Sequence, residues 1–115
     1  MDKIRVTQDY EKLSEAIKEQ LKLVYPNGFS EHLISYFNKD GEKVSALRFE
    51  TDEKIYLIRM TMEQAIDIIE ADVDYDDDGS LMDEAKEDYE IKYSDIEYLS
   101  ENENYDVEDE NENEI

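Results

Sequence analysis

The chain contains no cysteine and no tryptophan, one proline, three glycines and one histidine, and it is poor in cations, with 12 Lys and Arg against 34 Asp and Glu. Without cysteine there is no disulfide framework, thiolate nucleophile or cysteine-ligated zinc site. With Gly28, Gly41 and Gly79 as its only glycines, it has no material for a phosphate-cradling loop. No long apolar run exists, and none follows Met1-Asp2-Lys3-Ile4-Arg5, so neither a transmembrane helix nor a secretory signal is expected and the cytoplasm is the expected address. The net charge of −22 repels nucleic-acid phosphates and anionic lipid headgroups, which leaves basic proteins as the favoured partners. At 115 residues the chain allows one small domain, and a monomer is the expected state.

The charge is divided unevenly about Ala71. Residues 1–71 hold 10 cations and 14 carboxylates, whereas residues 72–115 hold 2 cations and 20 carboxylates. Repulsion at that density opposes compaction, so residues 72–115 read as a mostly disordered acidic tail ending in a Glu/Asn-rich stretch.

Residues 1–71 read as a folded domain. Ile4 and Val6 alternate in a short edge strand, and Thr7 or Asp9 then caps a helix whose stripe is Tyr10, Leu13, Ile17, Leu21 and Val24. Tyr25-Pro26-Asn27-Gly28 ends it. Strands follow at His32–Phe37 and Lys43–Phe49, joined by the turn Asn38-Lys39-Asp40-Gly41, and a third, Lys54–Arg59, is apolar on both faces and belongs at the sheet's centre. Thr61, with Gln64 three residues on, has the capping-box pattern of a second helix that buries Ala65, Ile66 and Ile69. The fold predicted is α+β: a small antiparallel sheet in the order β-α-β-β-β-α with two helices on one face, its core built by Leu13, Ile17, Leu21, Leu47, Phe49, Ile55, Leu57, Ile66 and Ile69.

The positions Ile4-x-Val6, Asp9-Tyr10-Glu11-Lys12-Leu13, Tyr25-Pro26-x-Gly28, Phe37-Asn38, Gly41-Glu42-x-Val44 and Thr51-Asp52-x-x-Ile55-Tyr56-Leu57-Ile58 carry a resemblance. Over about residues 3–60 the chain resembles a family of small acidic bacterial proteins that pair a short α+β domain with an acidic C-terminal tail, some of which bear the label DNA primase. The shared positions form the fold and imply no catalytic residue. A chain this short, without cysteines, has neither a zinc ribbon nor room for a nucleotidyl-transfer domain beside its tail.

Three features carry candidate chemistry. Asp74, Asp76 and Asp78 occupy the first, third and fifth places of an EF-hand-like loop, with Gly79 at the sharp turn and Ser80 at the carbonyl place, so residues 74–85 are the candidate Ca²⁺ site. Ala85 stands where a bidentate Glu should close the shell, and the bland reading is a solvated acidic linker. His32, placed at the start of a strand with Glu31 directed to the opposite face, lacks an orienting acid and reads as a surface residue, so no catalytic residue is expected. Five of nine tyrosines lie after Ala71, an excess for a charged tail. Tyr89, Tyr93, Ile96, Tyr98 and Tyr105, with Glu101, Glu103, Asp106 and Glu108, form a candidate partner-binding motif. Residues 88–100 have two open readings: they order on a partner, or they fold back on the domain as a strand or helical turn. Together these features predict a non-enzymatic interaction protein whose acidic tail engages a basic, nucleic-acid-binding surface of the transcription or translation machinery by mimicry of nucleic acid, with a weak Ca²⁺-binding module as the alternative.

Overall fold

A computed structural model describes residues 3–99. Strand β1 (Ile4–Asp9) is followed by a single 3₁₀ turn and helix α1 (Glu15–Val24), strands β2 (Ile34–Phe37), β3 (Lys43–Glu50) and β4 (Lys54–Arg59), then helices α2 (Met62–Ala71) and α3 (Asp83–Lys92).

Local signals set most of these elements. Gly41 takes a φ of +82° in the β2–β3 turn, a conformation that L side chains resist, and Asn38 closes the turn by accepting the amides of Asp40 and Glu42 on its side-chain oxygen at 2.9 Å each. Thr61 and Gln64 form the expected reciprocal capping box, with side-chain to backbone distances of 3.0 and 2.9 Å. Helix α1 starts later than predicted. Thr7 and Asp9 lie in β1, held extended by pairing with Leu57 and Arg59, and Ser14 caps α1 by accepting the Ile17 amide at 3.2 Å.

The sheet order is β1-β4-β3-β2, with β4 central and β1 at an edge, as its patterning predicts. The fully antiparallel sheet is corrected: β2, β3 and β4 form an antiparallel meander, but β1 pairs with β4 in parallel. The reason lies in α1, whose crossover returns the chain to the far edge of the sheet running in the direction of β1.

All three helices contribute to one core on a single face of the sheet. Leu21, Leu47, Phe49 and Ile58 are fully buried there, with Leu47 opposite Ile58 and Phe49 opposite Tyr56 across the β3–β4 ladder. Side chains alternate along a strand, so the register sends Ile55 and Leu57 to the other face, where they are half-buried and outside the helix-filled core. Ile58 therefore holds the central place predicted for Leu57. Ile66 is another departure, 43% exposed, because α2 turns Ala65 and Ile69 inward instead.

The packed body also extends past Ala71. Tyr75, Leu81, Tyr93 and Leu99 are buried in the same core, and Tyr75 and Leu81 pair across the acidic loop. The flexible-tail reading of residues 72–99 is corrected accordingly: spaced aromatic and aliphatic anchors bury enough surface to order a strongly acidic segment. Of the two readings of residues 88–100, the structure shows the folded-back one up to Leu99, as the end of α3, a turn at residues 93–95 and helical residues 97–99. The acidic-tail reading of residues 100–115 lies outside the described residues.

Candidate functional site

Tyrosine hydroxyls attach the acidic segment to α1 and to the Tyr25 carbonyl just after it, and one, that of Tyr89, braces the segment on its own Asp74. Tyr89 donates to Asp74 Oδ2 at 2.7 Å, Tyr93 to Glu19 Oε1 at 2.6 Å and Tyr98 to Gln20 Oε1 at 2.8 Å, while Tyr75 donates to the carbonyl of Tyr25 at 3.0 Å. Beside them, the Lys22 ammonium, only 12% exposed, bridges Asp72 at 2.7 Å and Asp74 at 2.8 Å, and Lys92 reaches Glu19 at 2.9 Å. Burial would lower the Lys22 pKa, but its bonds to the two aspartates outweigh that and raise it. Asp74 is lowered, chiefly by the hydrogen bond from Lys22. The Tyr89 hydroxyl is pushed up to about 12 by burial first and by its bond to Asp74 second.

These contacts place the predicted site residues. Tyr89, Tyr93 and Tyr98 are engaged within the chain, and Ile96 packs against the core. Glu101, Glu103, Tyr105, Asp106 and Glu108 lie outside the described residues. In the EF-hand-like loop, Asp74 faces Lys22 and Tyr89 and does not turn into the loop. Asp76 accepts the amides of Asp78 at 2.9 Å and Ser80 at 3.0 Å on one oxygen, and its own amide donates to the Ser80 carbonyl at 2.8 Å. Protein groups thus close the loop, and among the described residues no three His, Cys, Asp or Glu side chains gather as a metal cluster. His32 sits exposed in a 3₁₀ turn before β2, not in the strand, with its ring 5.0 Å from that of Tyr25.

The folding of this segment leaves its carboxylates outside. Asp76, Asp77, Asp78, Asp83, Glu84, Glu87, Asp88, Glu90, Asp95 and Glu97 are all exposed, ten of the twelve between residues 72 and 99. Part of this surface rims a cleft of about 660 Å³, where Ala65, Ile66 and Ile69 of α2 form an apolar wall and Glu31, Glu70 and Asp76–Asp78 line the mouth. An apolar wall with an anionic rim suits a cationic, partly apolar side-chain cluster. Sequence reasoning missed this cleft because it joins α2 to a loop taken as a tail. No local signal marked it, since Ile66 reads with Ala65 and Ile69 as the buried side of α2.

No helix among the described residues is long and apolar enough to cross a membrane. Comparison of the chain with protein-family models, with curated proteins and with solved structures found no match, so its chemistry is read from its own residues.

Proposed function

We propose that this is a non-enzymatic acidic interaction protein of the cytoplasm, whose acidic C-terminal half engages a basic, nucleic-acid-binding surface of a partner in the transcription or translation machinery. The supporting observation is the set of ten exposed carboxylates between residues 72 and 99, held on a packed scaffold and continued by eight more between residues 101 and 114. Fixed carboxylates displace counterions from a basic groove as a nucleic-acid backbone does, and a preorganised set does so at lower entropic cost. The cleft walled by Ile66 and Ile69 supplies an apolar contact beside that charge. Transcription and translation are named because their surfaces are built for polyanions.

Affinity purification of the full chain at low and high salt tests the reading. A basic, nucleic-acid-binding protein should be captured at low salt and released at about 1 M salt, where the screening length falls to roughly 3 Å. Capture should also be weakened in D77K/D78K, whose changes fall on exposed side chains and spare the Asp76 oxygen that closes the loop. Absence of any such salt-released partner would overturn the proposal.

A further inference from the structure

The cleft between α2 and the acidic loop is one-sided in charge. Five carboxylates line it, those of Glu31, Glu70, Asp76, Asp77 and Asp78, and no Lys, Arg or His does. None of the ion pairs among the described residues engages Glu31, Glu70, Asp77 or Asp78, and all four are exposed. A second cleft, of about 580 Å³ over Met60 and Ile68, instead sets Lys43 and Arg59 against Asp9, Glu11 and Asp67. The wall of the first is a stripe along α2. Ile66 and Ile69 lie in it, and the exposed Met62 extends it by one turn, for a length of about 10 Å. The opposite wall is held in place: the Leu81 amide donates to the Pro26 carbonyl at 2.7 Å, and a Cβ at Gly28 would stand 3.8 Å from the Gly79 carbonyl oxygen and 3.9 Å from Ile69 Cγ1.

We infer that this cleft seats a basic amphipathic helix of the partner, with its apolar stripe on Met62, Ile66 and Ile69 and its cations on the carboxylate rim. The inference rests on the proposed engagement of a basic surface and names the element of that surface which docks. Charge selects a cationic occupant, because a neutral or anionic one would desolvate the rim carboxylates without partners. The wall selects a helix. Main-chain groups of α2 bond within α2, so it offers no ladder to an extended segment, whereas a helix satisfies its own backbone and presents apolar side chains at the same three- and four-residue spacing. Charge alone would draw a cationic segment equally to the exposed carboxylates of α3, and the apolar stripe is what localises it.

The test uses the full chain, isotope-enriched, with two synthetic peptides of about 14 residues made of leucine and lysine in one fixed proportion. In one the leucines recur on a single helical face, and in the other their order is scrambled. The striped peptide should shift the amides of Gly28, Ile66, Ile69 and Gly79 before those of Asp83–Glu90 and gain helicity by circular dichroism. It should also bind about tenfold more tightly than the scrambled one. Ile66→Gln, on an exposed side chain and without change of charge, should remove most of that preference and leave the weaker binding of the scrambled peptide as it was. Equal affinity for the two peptides, shifts centred on α3, or a preference that survives Ile66→Gln would each overturn the inference and leave the engagement of a basic surface intact. Failure of both peptides to bind at low salt would overturn it as well, whereas the broader reading fails only if affinity purification of the full chain releases no basic partner.

Discussion

Residues 3–71 and residues 72–99 fill one core with different chemistry. The first stretch supplies aliphatic and phenylalanine side chains from strands and from α1, with Leu21, Leu47, Phe49 and Ile58 wholly enclosed. The second supplies four anchors, Tyr75, Leu81, Tyr93 and Leu99, and α3 between them buries no residue completely. Its other contacts include the Tyr93 and Tyr98 hydroxyls donating to Glu19 and Gln20 of α1, the Lys22 ammonium of α1 donating to Asp72 and Asp74, and the Tyr89 hydroxyl donating to Asp74 within the segment. Such a segment orders while keeping its carboxylates in water, because a tyrosine buries a ring yet can satisfy its polar end against a charged surface. High negative charge is thus compatible with order where the anchors are spaced to meet one neighbouring helix.

The most severe way to break this comparison is to remove the second region. A chain ending at Ala71 loses four buried anchors worth about 1.5 to 3 kcal/mol each, a sum on the order of the roughly 5 to 15 kcal/mol that holds a whole domain. Thermal unfolding followed by circular dichroism should show no cooperative transition for this fragment, while a chain ending at Leu99 keeps one. A cooperative, native-like transition in the shorter fragment would mean that the two regions do not share a core.

A smaller effect sharpens the account of the first region. Ile58→Ala should cost about 2 to 5 kcal/mol in urea denaturation, since the side chain is wholly enclosed. Leu57→Ala, one residue away on the half-buried second face, should cost less than half as much. Equal costs would place the helix-filled core on the wrong side of β4.

That pair of residues also shows what the sequence discloses. An apolar run such as Ile55-Tyr56-Leu57-Ile58 marks a central strand, but not which of its two faces the helices cover, because that depends on register with β3. Short-range chemistry was legible: the Thr61–Gln64 box and the Asn38–Gly41 turn are complete within a few residues. The parallel β1–β4 pairing and the tyrosine bonds were not. Tyr93 and Glu19 are 74 positions apart, and nothing local distinguishes a tyrosine that meets its own helix from one that awaits a partner. For the candidate site, charge was visible and geometry was not: the acidic run was plain, but the cleft needs α2 beside residues 75–79. The helical spacing of Tyr89, Tyr93 and Ile96 was the available clue to the fold-back.

The smallest expected effect probes the hydroxyl bonds themselves. Tyr89→Phe keeps the ring and removes the bond to Asp74, at a cost of about 0.5 to 1.5 kcal/mol. The sharper readout is alkaline. Folding raises the Tyr89 pKa from an ordinary 10.0 to about 12, through burial and then the Asp74 carboxylate that accepts its proton. Since the folded chain holds that proton more tightly than the unfolded chain, the stability it confers is complete below about pH 10 and is lost as pH rises through about 12. Tyr75, Tyr93 and Tyr98 are shifted in the same direction, burial being the first cause for each, so the second region should loosen as a unit on the alkaline side. Ultraviolet difference titration of the parent chain against Tyr89→Phe should isolate one phenolate with a midpoint near 12, and amide exchange in α3 should accelerate over the same interval. A midpoint near 10 for that phenolate would mean Tyr89 stands in water without its bond to Asp74, and the second region would then be held by its apolar anchors and the bonds of Tyr75, Tyr93 and Tyr98.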